Sequence, residues 1–350
     1  MSLRFLILIL SPLLAGCETA AYYSQAVQGQ WSLWWQRQPI EELVADETLD
    51  PELKQRLQQV LDIREFAYKQ LGLPNNNTYR YYSDLHRSAV VWNVFAAEEF
   101  SVIPKQWCFP IAGCVSYRGY FSEQAAKDYA DKLARQGYDT YVGSVAAYST
   151  LGWFDDPVLN TFIHYDEAHL AGLIFHELAH QQLYIPGDTT FNESFASTVE
   201  VAGIERWLAH QQRPELMDVY LHRQRLSRDF IATLLQGRKS LEKLYQQDIH
   251  ELQKRQRKQH IIDELVTQQY PAFKSRWNGV THYDKWINHS LNNAKLSTLA
   301  SYHQWQPALQ RILFESEGDL TVFYQRVEQL AQQAKEQREQ TLELLSQADH

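Results

Sequence analysis

One stretch restricts this chain more than any other. Leu170 to Tyr184 has helical periodicity and carries two histidines, His176 and His180, four residues apart. On a helix that spacing puts both imidazoles on one face, a little over one turn apart, where they can share one metal ion. Glu177 adjoins the first histidine and offers a carboxylate that can take a proton from a water attacking a carbonyl. The neighbours Phe175, Leu178 and Ala179 mark the helix as buried. Two histidines and a glutamate buried without partners would cost several kcal/mol, so the polar stripe needs a purpose.

A second element follows at a useful distance. Twelve residues separate His180 from Glu193. Within them Pro186-Gly187-Asp188 supplies a turn, and Phe191-Asn192-Glu193 opens a new helix that continues through Trp207. Near that helix start Glu193 can face back toward the first helix. Two histidines and one carboxylate are a common ligand set for zinc in hydrolytic enzymes, with the fourth position left to water. The expected ligands are therefore His176, His180 and Glu193, holding one zinc ion per chain. Glu200 lies seven residues after Glu193, two turns on and on the same face, placed to hold a ligand imidazole from behind.

The rest of the chain predicts an α+β fold that is mostly helical. A small strand-containing part, with strands near Tyr79 to Tyr82, Ala89 to Phe95 and Tyr138 to Val145, precedes the motif helix, and long helices follow it. Asp50-Pro51 reads as an N-cap and first helical residue of a helix ending at Leu71-Gly72. A further helix is expected from about Ser122 to Gln136, stopped by Gly137. Glu215 to Gln259 and Asn288 to Gln347 both read as long helical stretches. The expected organisation is a signal segment over residues 1–16 and a single domain over 17–350, whose part from about 211 to 350 is helical.

The first residues have the pattern of an export signal. Arg4 supplies a positive charge, and the apolar run Phe5 to Leu14, too short to span a bilayer as a folded helix, ends in Leu14-Ala15-Gly16-Cys17. That quartet resembles the bacterial lipobox, in which the cysteine becomes the lipidated first residue of the mature protein. It implies an anchor at Cys17 and a place in the bacterial envelope. By resemblance to lipoprotein sorting rules, Glu rather than Asp at position 18 implies the outer membrane, with the protein on the periplasmic face. In an oxidising compartment Cys108 and Cys114, either side of a Pro and a Gly, are expected to form a disulfide that shapes a loop. Trp31, Trp34 and Trp35 are expected to pack in the core, with the membrane interface as the second reading. A net charge of −9 argues against nucleic-acid binding, which needs a basic face.

The paired motifs, His176-Glu177-Leu178-Ala179-His180-Gln181 and Asn192-Glu193-Ser194-Phe195-Ala196 with Glu200, resemble those of the gluzincin zinc aminopeptidases. There the second motif reads Asn-Glu-Gly-Phe-Ala, with a Glu seven residues after the ligand. More widely the chain is similar to a bacterial family of predicted lipoprotein aminopeptidases. That likeness runs over roughly residues 88 to 210 and returns at Asn292-Asn293-Ala294. It includes Trp107 to Pro110, Tyr117 to Phe121 and Tyr148 to Phe154. The resemblance implies a gluzincin-like core, zinc, Glu177 as general base and a peptide substrate. The linker between the motifs is shorter than in the better-known enzymes, and their Gly-Ala-Met-Glu-Asn segment, which holds the substrate amine, has no counterpart. Asp155, Asp156 and Glu167 are the carboxylates near the expected place. A donor for the tetrahedral oxyanion would come from outside the motifs; Tyr148 and Tyr302 are candidates. Two other readings stand beside the aminopeptidase: a zinc endopeptidase, and a non-catalytic envelope lipoprotein whose zinc is structural.

Overall fold

The computed structural model describes residues 22–109, 113–147, 155–288, 291–299 and 304–347. Cys17 and the signal segment lie outside the described residues, as do Tyr148 and Tyr302. In chain order the elements are α1 (residues 22–35), β1 (Gln38–Pro39), α2 (Ile40–Ala45), α3 (Pro51–Leu71), β2 (Tyr81–Ser83), β3 (Val91–Glu98), β4 (Trp107–Phe109), β5 (Gly113–Val115), β6 (Arg118–Tyr120), α4 (Glu123–Ala134), β7 (Tyr138–Val145) and β8 (Val158–Leu159). Helices follow: α5 (Glu167–Gln182), α6 (Thr189–His210), α7 (Glu215–Tyr245), α8 (Glu251–Glu264), α9 (Tyr270–Arg276), α10 (Asp284–Asn288), α11 (Asn293–Ser297), α12 (Gln306–Glu315), α13 (Leu320–Ala331) and α14 (Lys335–Gln347). The fold is α+β and mostly helical, with its short strands ahead of α5 and long helices after it. No helix among the described residues is long and apolar enough to cross a membrane.

Two compact units share the chain, each assembled from three segments. The first comprises Met1–Arg37, Ser83–Ala147 and Phe230–Leu299; the second comprises Gln38–Tyr82, Tyr148–Asp229 and Ala300–His350.

In the first unit β3 is the centre of an antiparallel sheet of order β6-β3-β7. Its alternate residues Trp92, Val94 and Ala96 point inward, as the period of two requires. They meet Ala126, Ala130 and Leu133 of α4, which recur at helical spacing on one face. Gly137, with φ at +90°, ends that segment and turns the chain into β7. β4 and β5 form a hairpin closed by the Cys108–Cys114 disulfide.

The first unit also corrects the expectation for the tryptophans. α1 buries its face through Leu33, while Trp31 and Trp35 are 59% and 80% exposed. Positions 31 and 35 lie on the side of the helix away from the residues that hold it to the sheet, so helical phase, not hydrophobicity, decides their exposure. A second difference is the break in the long stretch after Glu215. α7 stops at Tyr245 with no Gly or Pro nearby, and His250 caps a new helix by accepting from Leu252 N–H at 3.2 Å.

In the second unit Asp50 caps α3 by accepting from Leu53 N–H at 2.9 Å, and Gly72 closes it in the left-handed region at φ +66°. α3 buries Leu57, Val60, Ile63, Phe66, Ala67 and Leu71. α5 and α6 cross closely beside it. Two glycines make that approach possible: a Cβ on Gly172 would come within 2.7 Å of Ile204 Cδ1, and one on Gly203 within 2.6 Å of the Phe175 ring.

Candidate metal centre

Every residue of the centre lies in the second unit. α5 starts at Asp166, whose side chain accepts from His169 N–H at 3.3 Å. Ala168, Leu170, Ala171, Ile174, Phe175, Leu178 and Ala179 are buried around the helix. Its polar residues His176, Glu177 and His180 are left on one stripe near its C-terminal end.

α6 is fixed in its first turns by four devices. Asp188 caps it, accepting from Phe191 N–H at 3.2 Å. The other oxygen of Asp188 pairs with Arg338 of α14 at 2.6 Å, both side chains being almost fully buried. Asn192 is buried and grips Ile185 twice, its oxygen accepting from Ile185 N–H and its amide donating to Ile185 C=O, both at 2.8 Å. That two-point clamp ties the connection between the helices to α6 and sets the direction in which the next residue, Glu193, leaves. Ser194, also buried, accepts from Trp305 N–H at 3.2 Å.

The geometry converges. His176 Nε2 lies 3.2 Å from His180 Nε2 and 3.3 Å from Glu193 Oε2, and His180 Nε2 lies 3.5 Å from Glu193 Oε1. The three side chains form a group that could hold a metal ion. Behind it His176 Nδ1 bonds Glu200 Oε2 at 3.0 Å. That bond places a proton on Nδ1 and leaves Nε2 facing the group. The other oxygen of Glu200 accepts from the Tyr220 hydroxyl of α7 at 2.7 Å, and Tyr220 in turn accepts from Gln224 at 2.8 Å. Burial, and then the charge of Glu200, push the Tyr220 hydroxyl well up, so it remains a donor.

The two histidines differ electrostatically. Burial works against a charged His176, but its bonds to Glu193 and Glu200 outweigh burial and hold its pKa up at about 10. His180 is held down at about 4 by burial and by the positive His176 beside it. His176 is therefore held protonated at neutral pH, and His180 is held neutral.

A family model described as "Putative aminopeptidase" matches residues 21–342. The chain belongs to that family. Comparison with curated proteins and with solved structures finds no match.

The structure also places the carboxylates that the sequence offered for a substrate amine. Glu167 is engaged elsewhere: it accepts from Trp207 Nε1 at 3.2 Å and from Arg213 at 2.7 Å. It also lies nine residues before His176, roughly 14 Å along the helix, away from the His176, His180 and Glu193 group. Asp156 is buried. Asp155 takes a long bond from the Asn77 amide at 3.4 Å. Glu177 is half-buried and acts on the fully buried Tyr79, whose hydroxyl is pushed well up by burial and then by the charges of Glu177 and Asp156.

Sequence reasoning brought out both motif helices and Glu200. It missed Tyr220, one of 20 tyrosines with nothing local to distinguish it. It also missed Arg338, which looks like any charged residue of a solvated tail helix.

Proposed function

We propose that the chain is a zinc-dependent aminopeptidase. The observation that carries this is the meeting of two imidazole nitrogens and a carboxylate at separations of 3.2, 3.3 and 3.5 Å. Ligands of a tetrahedral zinc with bonds near 2.0–2.1 Å stand roughly 3.3 Å apart. The donor set of two nitrogens and one oxygen also suits zinc, and the Nδ1 bond to Glu200 supports neutral ligation through His176 Nε2. Three ligands gather among the described residues; a structural zinc takes four, whereas a catalytic one takes three and a water.

His176, His180 and Glu193 would hold the ion. Zinc in such a site lowers the pKa of water and polarises the carbonyl of the scissile bond. Glu177 follows His176 directly, so its side chain leaves the helix about 100° around from that ligand. Its carboxylate accepts a proton from the attacking water as the oxygen adds to the carbonyl carbon. When the C–N bond breaks, the same carboxyl delivers that proton to the departing amine nitrogen. Glu200 and Tyr220 keep the His176 ring from turning throughout.

The test uses two substrates. Amino-acyl anilides with a free α-amine should be cleaved, cleavage should stop with a chelator and return with zinc, and the N-acetylated forms should resist. Equal cleavage of free and blocked substrates would replace the aminopeptidase by an endopeptidase. Absence of zinc-dependent cleavage of either would end the proposal. Its proposed place is the bacterial envelope, on the periplasmic side of the outer membrane, tethered by lipid on Cys17. Cys17→Ser should abolish lipid attachment and shift the mass accordingly; an unchanged mass would refute the tether.

A further inference from the structure

α1 has two faces of different character. Tyr22, Gln25, Gly29 and Leu33 hold it to the first unit. The Gln25 side chain donates to Gly119 C=O at 3.4 Å and accepts from Phe121 N–H at 3.0 Å. Tyr22 stacks on Phe109 with ring centres 5.6 Å apart, and the Arg118 guanidinium lies 4.0 Å from the Tyr22 ring centre. Gly29 lies so close to the Phe121 ring that a Cβ would overlap it. The helix is thus built into the unit and cannot roll to bury its other side.

That other side carries Tyr23, Val27, Trp31 and Trp35, each four residues from the next and all exposed, at 40%, 67%, 59% and 80%. The spacing makes one continuous stripe along the helix. Trp31 and Trp35 stack with ring centres 6.3 Å apart. No Asp, Glu, Lys, Arg or His occurs from residue 19 to residue 36.

We infer that this stripe rests in the interfacial layer of a lipid bilayer, as a second membrane contact beside the N-terminal anchor. Three observations favour lipid over a protein partner. Only four residues lie between Cys17 and Tyr22; the five steps from Cys17 to Tyr22, fully extended, reach about 18 Å at most, so a lipid-modified Cys17 keeps α1 near the bilayer. Tryptophan and tyrosine are the side chains that settle at the boundary between headgroups and acyl chains. An uncharged helix surface also enters that boundary with no ion to strip of water. Beside such an anchor, a rigidly held aromatic face adds a second contact and would fix which side of the first unit meets the lipid. The inference uses the Cys17 reading for proximity, and its test can fail independently of it.

The full chain, purified from membranes, is reconstituted into phosphatidylethanolamine and phosphatidylglycerol vesicles whose acyl chains are brominated near the headgroup. Tryptophan emission of the wild type should be quenched relative to unbrominated vesicles. Trp31→Phe combined with Trp35→Phe should lose most of that quenching while keeping the fold, since both side chains are exposed. Quenching unchanged in the double variant would place other tryptophans in the lipid and overturn the proposal. So would a wild type without quenching, or a self-associated chain that Trp31→Ser with Trp35→Ser makes monomeric, which would assign the face to a second copy. Quenching that persists in Cys17→Ser vesicles would support the face even if the lipid tether were refuted.

Discussion

Tyr220 donates its hydroxyl hydrogen to Glu200 at 2.7 Å, on the carboxylate whose other oxygen holds His176 Nδ1. The His176 ring is thereby oriented from two helices away. Glu200→Gln removes the charge while keeping an acceptor, and is expected to weaken zinc binding by about 10–100-fold. Tyr220→Phe leaves one buried oxygen of Glu200 a partner short and should cost about 1–3 kcal/mol of stability, with a smaller loss of zinc affinity. Competition against a chromogenic chelator measures the first and urea unfolding the second. Unaltered affinity in Glu200→Gln would reduce that carboxylate to a packing role.

Glu177→Gln separates chemistry from metal binding. The amide cannot accept the water's proton, and removal of a general base typically costs about 10²–10⁴-fold in rate. Zinc content should stay at the wild-type level, because Glu177 is not among the ligands. A variant with normal turnover would remove Glu177 from the mechanism; one without zinc would make it part of the site's framework.

The two interhelical glycines should respond differently to alanine. Replacing a helical glycine gains about 1 kcal/mol of backbone propensity. At Gly203 the new methyl meets the Phe175 ring at 2.6 Å and Leu71 at 2.9 Å, in a core where overpacking costs about 1–3 kcal/mol. Gly203→Ala should therefore be the less stable protein in urea. At Gly172 the nearest atom is Ile204 Cδ1, the movable end of a side chain, but Glu200 Oε1 stands at 3.2 Å. Gly172→Ala should be near neutral in stability and weaker in zinc affinity. The reverse ranking would mean that the helices separate to make room.

The metal-free centre should show opposite pH responses from its two histidines. Against burial, Glu193 and Glu200 hold His176 at about 10, above the ordinary 6.5. Its contribution to stability is complete below pH 6.5 and is lost as pH rises toward 10. Burial and the charge on His176 hold His180 at about 4, so its contribution is complete above pH 6.5 and is lost as pH falls toward 4. The pair is most favourable near pH 6.5. Zinc has to displace the His176 proton, so at neutral pH binding should release one proton and tighten about tenfold per pH unit. Calorimetry in two buffers of different ionisation heat counts that proton; a count of zero would contradict the assignment.

Arg338→Met tests the fastening of α6. It leaves Asp188 buried and uncompensated, and breaking such a pair costs about 3–5 kcal/mol. Arg338→Met with Asp188→Asn should recover part of the loss, since the amide still caps the helix. Chemical unfolding measures both. A cost below about 1 kcal/mol in the single variant would mean that water reaches Asp188 as it does in a surface pair.

The motif helices were legible because their signals are local. His176 and His180 share a face by spacing alone, Pro186-Gly187-Asp188 is a turn by composition, and Glu200 follows Glu193 by two helical turns. Asp50-Pro51 and Gly72 bracket α3 for the same reason. What escaped depends on chain segments far apart. Nothing near Tyr220 indicates that it will meet Glu200. Nothing near Arg338 distinguishes it from Arg326 of the preceding helix, which pairs with Glu315 at a partly exposed position. The interleaving of two units from three segments each is likewise invisible to a reading that follows the chain. Trp31 and Trp35 escaped for a different reason: composition says apolar, whereas exposure is decided by which side of α1 the sheet residues occupy.

The pairing of Asp188 with Arg338 also has a consequence in time. Their separation is 150 residues, so a chain being made presents both histidines and Glu193 long before the cation that steadies the second helix arrives. Until then Asp188, which caps the first turn of α6, has no counterpart from α14. The full geometry of the His176, His180 and Glu193 group is thus reached late, after synthesis has passed residue 338, and a fragment ending sooner would contain the whole motif yet hold it loosely.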